Sequence, residues 1–474
     1  MTSNYPRFML AAPKSGSGKT IITCGILKLF SDLGISCRAY KCGPDYIDPL
    51  FHKFVQGIDG GNLDTWFQPE SQLLSQFMEI SQGASVSVVE GVMGYYDGMG
   101  GNTTTASSYE VARVLDCPVI LILDCRGASL SLSAVAKGFL EYREDSRIKG
   151  VILNRISRSM VPRLTVEMEK LGLPVLGWVE ECKEAVLESR HLGLVLPQEQ
   201  SRLEKELETF ALRIKESLDV ERILKLAGSA SSLTLPEKET GKKQEKKEKR
   251  KIKIGVALDE AFCFYYQENL RLLEKLGAKL VPFSPLKDEN LPEGVCGIIF
   301  GGGYPELHGC ELGENRSMRA AVKQAALEGM PILGECGGFL YLLESLENKE
   351  GQKFPMAGVL PGRSYPVNRL SRFGYIEMSV GKTDSEDKVF PYLLPGETIK
   401  GHEFHYWDSS CNGSCLWAAK PGQNRGWECV QSEKKAVAGF PHFYYPSNEK
   451  FAARWLADCR EYGKEKGREG MERI

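Results

Sequence analysis

Cys336 is the residue in this sequence best placed to act as a nucleophile. Pro331-Ile332-Leu333-Gly334-Glu335-Cys336-Gly337-Gly338-Phe339-Leu340-Tyr341-Leu342 is an apolar run that stops at the cysteine, followed by two glycines and then apolar residues at helical spacing. This is the sequence form of a tight strand-to-helix turn that lifts a nucleophile off a sheet edge. Flanking glycines allow close backbone approach and leave N–H groups to hold an oxyanion. A helix start also lowers a thiol pKa. With 14 cysteines in the chain, an inert buried thiol is the competing reading. A second apolar run ends in Gly301-Gly302-Gly303-Tyr304-Pro305-Glu306. The N–H groups of Gly302 and Gly303 would complete an oxyanion hole with Gly337. The nucleophile needs a base. Of the six histidines, His442 in Gly439-Phe440-Pro441-His442 competes with His402 and His405 in Gly401-His402-Glu403-Phe404-His405. Spacing alone does not choose among them.

The second chemical centre lies near the start of the chain. Pro13-Lys14-Ser15-Gly16-Ser17-Gly18-Lys19-Thr20 follows the apolar run 8–12 and precedes a helical pattern. Such a loop turns successive N–H groups inward around phosphate. Lys19 would reach the outer phosphates and the Thr20 hydroxyl would sit on Mg²⁺. Pro13 stands where the usual pattern begins with Gly, and Lys14 falls where the deviant P-loop ATPases carry an extra lysine. Carboxylates follow nearby: Asp45 and Asp48 in Lys41-Cys42-Gly43-Pro44-Asp45-Tyr46-Ile47-Asp48-Pro49, and Glu90 and Asp97 in Glu90-Gly91-Val92-Met93-Gly94-Tyr95-Tyr96-Asp97-Gly98. Turn chemistry around the prolines is the competing reading of the two aspartates, and a strand-end cap that of Glu90.

These residues must be carried by a scaffold, and the chain predicts one. Short apolar runs at 8–12, 86–89, 119–124, 150–154 and 175–179 alternate with helical patterns in the first half, and runs at 252–258, 280–283, 297–300 and 332–335 do so in the second. That alternation predicts two doubly wound α/β domains with mainly parallel sheets, whose ligands sit beyond the carboxyl ends of the strands. The Lys/Glu run around 237–253 predicts a solvated linker. The expected boundaries are 1–228 for an ATP-binding domain, 229–250 for the linker, 251–450 for the second domain and 451–474 for a charged tail. The 474 residues are 42% hydrophobic and 26% charged, with net charge −2, which gives no sign of nucleic acid as a partner. No apolar run reaches membrane-span length and no signal peptide is visible, so a cytoplasmic location with reduced thiols is expected. Cys411 and Cys415 are spaced like metal ligands but lack a second pair.

Taken together, the Gly-Glu-Cys-Gly-Gly, Gly-Gly-Gly-Tyr-Pro-Glu, Gly-His-Glu-Phe-His-Tyr and Gly-Phe-Pro-His-Phe-Tyr-Tyr motifs resemble the glutamine amidotransferase domain of the cobyrinate-type amide synthase family. The Lys41–Pro49 and Glu90–Gly98 motifs, with Ser189-Arg190-His191-Leu192-Gly193-Leu194, resemble that family's synthetase signatures. The resemblance implies a dethiobiotin-synthetase-like P-loop domain and a class I triad-type amidotransferase domain. It implies that Cys336, activated by His442, releases ammonia from glutamine. The ammonia then amidates the c and a carboxylates of cobyrinate through acyl phosphates made from ATP with Mg²⁺. Lys14 to Thr20 are expected at ATP, Thr20, Glu90 and Asp45 at the metal, and Tyr46, Ile47, Asp48 and Asp97 at the substrate. Tyr444 stands where many triad amidotransferases carry Glu, which leaves the third triad member unassigned. Hydrogenobyrinate and nickel sirohydrochlorin remain open as substrates. Cobyric acid synthase fits less well, because its loop typically reads Asn-Ala-Gly-Lys-Ser. A P-loop switch carrying an inactive amidotransferase-like module is the non-enzyme alternative. A homodimer is kept open as the assembly.

Overall fold

The computed structural model describes residues 2–57, 60–182, 189–190, 193–194, 197, 202–234, 251–370, 372–381 and 390–467. They fall into two compact units, Met1–Lys243 and Gln244–Ile474. His191 and Leu192 of the Ser189–Leu194 motif, like residues 235–250 of the expected linker, lie outside the described residues.

In the first unit, strands β1 (Arg7–Ala11), β2 (Cys37–Cys42), β3 (Gly61–Leu63), β4 (Val86–Glu90), β5 (Val119–Asp124), β6 (Ile148–Asn154) and β7 (Val175–Val179) build a seven-stranded sheet in the order β3-β2-β4-β1-β5-β6-β7. Every pairing is parallel. The near-continuous apolar strands follow from helices covering both faces. Met9 and Ala11 enter one core, and their neighbours Phe8 and Leu10 enter the other. Helix α1 (Lys19–Asp32) follows β1 through the glycine-rich loop, and α2 (Ile47–Gln56) follows β2. The chemistry-bearing loops therefore gather at the carboxyl edge of β1, β2 and β4.

The second unit opens with β8 (Ile252–Ala257), β9 (Ala278–Phe283), β10 (Gly297–Phe300) and β11 (Ile332–Glu335), and β11 leads into helix α3 (Gly337–Leu342). Further on come β12 (Phe373–Val380), β13 (Thr398–Phe404), β14 (Leu416–Ala419), β15 (Gly426–Cys429), β16 (Gln431–Glu433), β17 (Ala436–Gly439) and β18 (His442–Phe443). One sheet has the order β9-β8-β10-β11-β17-β16, parallel except for β16 against β17. A second, antiparallel sheet has the order β15-β14-β12-β13-β18. The sequence reading did not anticipate this second sheet.

Two expected boundaries are corrected. Residues 229–234, assigned to the linker, return to the first unit: Leu233–Thr234 pairs with Thr2–Ser3, and the Ser231 carbonyl accepts from the buried Arg7 guanidinium. Residues 451–467, assigned to a charged tail, begin with most of helix α4 (Glu449–Glu465). Its Phe451, Trp455, Leu456 and Cys459 are buried in the core of the second unit. Their i, i+4, i+8 spacing is one face of an amphipathic helix, hidden in the sequence by the charges on the other face.

Candidate active sites

In the first unit the phosphate loop is held open by its own backbone. Gly16 and Gly18 adopt φ of 76° and 92°, and a Cβ on Gly18 would lie 2.4 Å from Asn154 Nδ2. That amide, at the end of β6, donates to the Ser17 carbonyl at 2.8 Å, while the next residue, Arg155, donates to the Gly16 carbonyl at 2.9 Å. Ser17 Oγ closes the turn by donating to the Lys14 carbonyl at 2.9 Å. Lys19 Nζ donates to the Met93 carbonyl at 2.6 Å. Burial, reinforced by the nearby Lys41 ammonium, lowers Lys19 to about 8.

Beside the loop, Thr20 Oγ1 lies 2.8 Å from Glu90 Oε1 and 3.2 Å from Asp48 Oδ2. The Lys41 ammonium donates to both carboxylates, at 2.9 Å to Glu90. His52 Nε2 holds the other Glu90 oxygen at 2.7 Å. Burial alone would raise the Glu90 carboxyl, but Lys41 and His52 together hold it well below the usual carboxylate range. Burial, with Asp45 alongside, pushes Asp48 upward against the pull of Lys41. One hydroxyl and two buried carboxylates sharing a cation form a donor set that suits a hard divalent ion completed by water and phosphate oxygens.

Asp45, expected at the metal, lines the same cleft as Thr20 and Asp48 and also has a local role. Its Oδ1 accepts the N–H groups of Ile47 and Asp48 at 2.9 and 3.1 Å, so it closes the turn that starts α2. Asp48, expected at the substrate, is the aspartate that joins Thr20 and Glu90. Ile47 is buried, while Asp97 is exposed and accepts the Gly94 N–H at 2.9 Å. A cleft of about 680 Å³ is lined by Gly16, Lys19, Thr20, Asp45, Asp48 and Arg155.

In the second unit Cys336 joins β11 to α3 with φ 49° and ψ −102°, the strained backbone that the flanking motif predicts. Its N–H donates to the Gly439 carbonyl at 2.8 Å. The glycines are there for close approach: a Cβ on Gly337 would lie 3.0 Å from Gly303 N, and one on Gly302 would lie 2.4 Å from His442 Cε1. The structure thus brings Gly303 against Gly337, the residue after Cys336, and Gly302 against His442. Burial, with Glu306 and Glu403 nearby, pushes the Cys336 thiol upward, and the Gly337 N–H works the other way. The thiol therefore needs a proton acceptor.

The three histidines are now separated. His405 has both nitrogens engaged, Nε2 with Glu403 at 2.8 Å and Nδ1 with the Trp407 carbonyl at 2.5 Å, and its ring stacks on Phe440 at 3.8 Å. His402 sits opposite His442 in the β13–β18 pairing, edge-on to Phe373 and Tyr375. His442 meets the glycine loop, and burial together with His405 lowers it to about 3, so the imidazole rests neutral.

Residues 8–194 match the CobQ/CobB/MinD/ParA nucleotide binding domain family, and residues 253–449 match the CobB/CobQ-like glutamine amidotransferase domain family. Cobyrinate a,c-diamide synthase of Caldanaerobacter subterraneus subsp. tengcongensis is 38% identical over 96% of this chain and 99% of its own length. The chain belongs to the cobyrinate a,c-diamide synthase family. The Salmonella typhimurium relative of the same name is 34% identical over 97% of this chain and 99% of its own, and the Methanothermobacter thermautotrophicus relative is 34% identical over 96% and 100%. The site residues that sequence reading missed are Lys41, His52, Asn154 and Arg155. Lys41 lay inside a quoted motif and its charge was the available signal. The others act through contacts between strand ends that no local pattern records. Among the described residues no helix is long and apolar enough to cross a membrane, and no group of three or more His, Cys, Asp and Glu could hold a metal, the Cys411–Cys415 spacing included.

Proposed function

We propose that this chain is a carbon–nitrogen ligase that amidates the a- and c-side-chain carboxylates of cobyrinate, using ATP and ammonia released from glutamine. The observation that carries this reading is that the glycine-rich phosphate loop and the strained Cys336 turn share one chain, over which relatives named for this reaction align nearly end to end. An inactive amidotransferase module would have no need of the strained backbone at Cys336.

In the second unit, the Cys336 proton passes to His442 and the sulfur attacks the side-chain carbonyl carbon of glutamine. The N–H groups of Gly302, Gly303 and Gly337 meet the developing oxyanion. His442 returns the proton to nitrogen as the C–N bond breaks. Ammonia leaves, and water then hydrolyses the glutamyl thioester on Cys336. In the first unit, a substrate carboxylate attacks the γ-phosphorus of ATP, and ADP departs. Ammonia displaces phosphate from the resulting acyl phosphate, and the amide forms. Lys14 to Thr20 cradle the phosphates, and Lys19 balances charge on the transferring group. Mg²⁺ would be held by Thr20, Asp48 and Glu90, and when bound it neutralises phosphate charge. Tyr46, Ile47 and Asp97 face the substrate in this reading.

The test is to incubate the purified protein with ATP, Mg²⁺ and glutamine, offering cobyrinate, hydrogenobyrinate and nickel sirohydrochlorin separately, and to read product masses. Diamidation of cobyrinate in preference to the other two is expected. Turnover confined to another tetrapyrrole would reassign the substrate.

A further inference from the structure

The residue two positions after His442 is Tyr444, which cannot serve as a carboxylate partner for an imidazole. Another carboxylate occupies that role in space. Glu335 Oε2 lies 3.8 Å from His442 Nδ1, and side-chain exposure is 6% for Glu335 and 3% for His442. Glu335 ends β11, directly before the nucleophile, and pairs with Gly439 on β17, three residues before His442. Its other oxygen accepts the Tyr445 hydroxyl at 3.1 Å. The Phe443 N–H also donates to this carboxyl. Two donors thus anchor the carboxyl, while Oε2 faces the ring. The opposite edge of the ring, Cε1 and Nε2, faces Gly302 of the oxyanion loop.

We propose that Glu335 is the positioning carboxylate of the amidotransferase site, accepting the His442 Nδ1 proton in a hydrogen bond and so leaving Nε2 to take the proton of Cys336. The proposal rests on the reading that the second unit hydrolyses glutamine. The separation is longer than a made hydrogen bond, as is common before substrate closes a site. The chemistry turns on the tautomer. A protonated Glu335 donates to Nδ1 and places the ring proton on Nε2, where the ring cannot accept from the thiol. An ionised Glu335 reverses this. Burial raises the Glu335 carboxyl to about 8, with Tyr445 and the Phe443 amide pulling the other way. The other titratable groups around the pair are Tyr265 and Cys336 near Glu335, and His402 and His405 near His442. A Glu335 carboxyl raised to about 8 changes charge between pH 7 and 9.

The experiment compares alkylation of Cys336 by iodoacetamide and glutaminase turnover in wild type and Glu335→Gln across pH 6 to 9.5. The expected result is a wild-type-to-variant rate ratio that climbs about tenfold or more, with a midpoint near 8. A ratio constant with pH would mean that Glu335 only supports the fold and would overturn the proposal. Tyr445→Phe provides a second readout should the glutamine variant not fold. Losing the hydroxyl donor should move the midpoint to higher pH, and an unmoved midpoint counts against the proposal. Wild type that hydrolyses no glutamine at any pH sinks the underlying reading instead, so the two failures are distinguishable.

Discussion

His52 Nε2 lies 2.7 Å from Glu90 Oε2, and both side chains are almost wholly out of water. A buried carboxylate that must also serve a metal needs this second partner to fix its free oxygen. His52→Ala should therefore raise the Mg²⁺ concentration needed for synthesis by about 10- to 100-fold. Glutaminase activity should be unchanged, since it belongs to the other unit. Titration of ATP-dependent product formation against Mg²⁺ checks this, and an unshifted curve would remove His52 from the account.

Lys19 is the cation of the phosphate loop, with its ammonium parked on the Met93 carbonyl. Lys19→Ala should cost several kcal/mol of transition-state stabilisation, a rate loss on the order of a thousandfold. Synthesis from glutamine and from ammonium should fall together, because both need the activated carboxylate. Steady-state rates with each nitrogen source decide the point.

Asp45 and Asp48 sit one turn apart and do different things. Asp48→Asn should nearly abolish synthesis, because it removes charge beside Thr20 and Glu90. Asp45→Asn keeps an oxygen that can accept the Ile47 and Asp48 N–H groups. It should retain most activity, whereas Asp45→Ala should lose about 1 kcal/mol of stability, as capping changes do. Equal collapse of activity in both asparagine variants would restore Asp45 to the metal.

Among the histidines, only His442→Ala should suppress glutaminase and slow Cys336 alkylation at pH 7. His405→Ala should instead destabilise the second unit by about 1–3 kcal/mol, because it strips a hydrogen bond from buried Glu403. Normal alkylation in His442→Ala with slowed alkylation in His405→Ala would overturn the base assignment.

The parallel cores were legible because strands such as β5 are apolar at nearly every position, a pattern that only two covered faces produce. Cys336 and the phosphate loop were legible because their glycines answer local backbone demands. The antiparallel sheet of β12 to β15 and β18 was not, since its strands mix polar and apolar residues without clean alternation. The choice among histidines depended on it: only the β13–β18 register shows His402 opposite His442 and leaves His405 to Glu403. The roles of Asp45 and Asp48 depended on where α2 begins, a boundary that residue types near two prolines did not fix. Glu335 was visible as a letter beside the nucleophile, but its partner is more than a hundred residues away along the chain.

The division of labour between the units is tested most directly with Cys336→Ser and glutamine carrying heavy nitrogen in its side-chain amide. Wild type should transfer the label into both new amides of cobyrinate. Cys336→Ser should make no product from glutamine, yet should form the same diamide from ammonium salt at a rate close to that of wild type. Label reaching product in the serine variant, or loss of ammonium-dependent synthesis in a folded variant, would contradict the account.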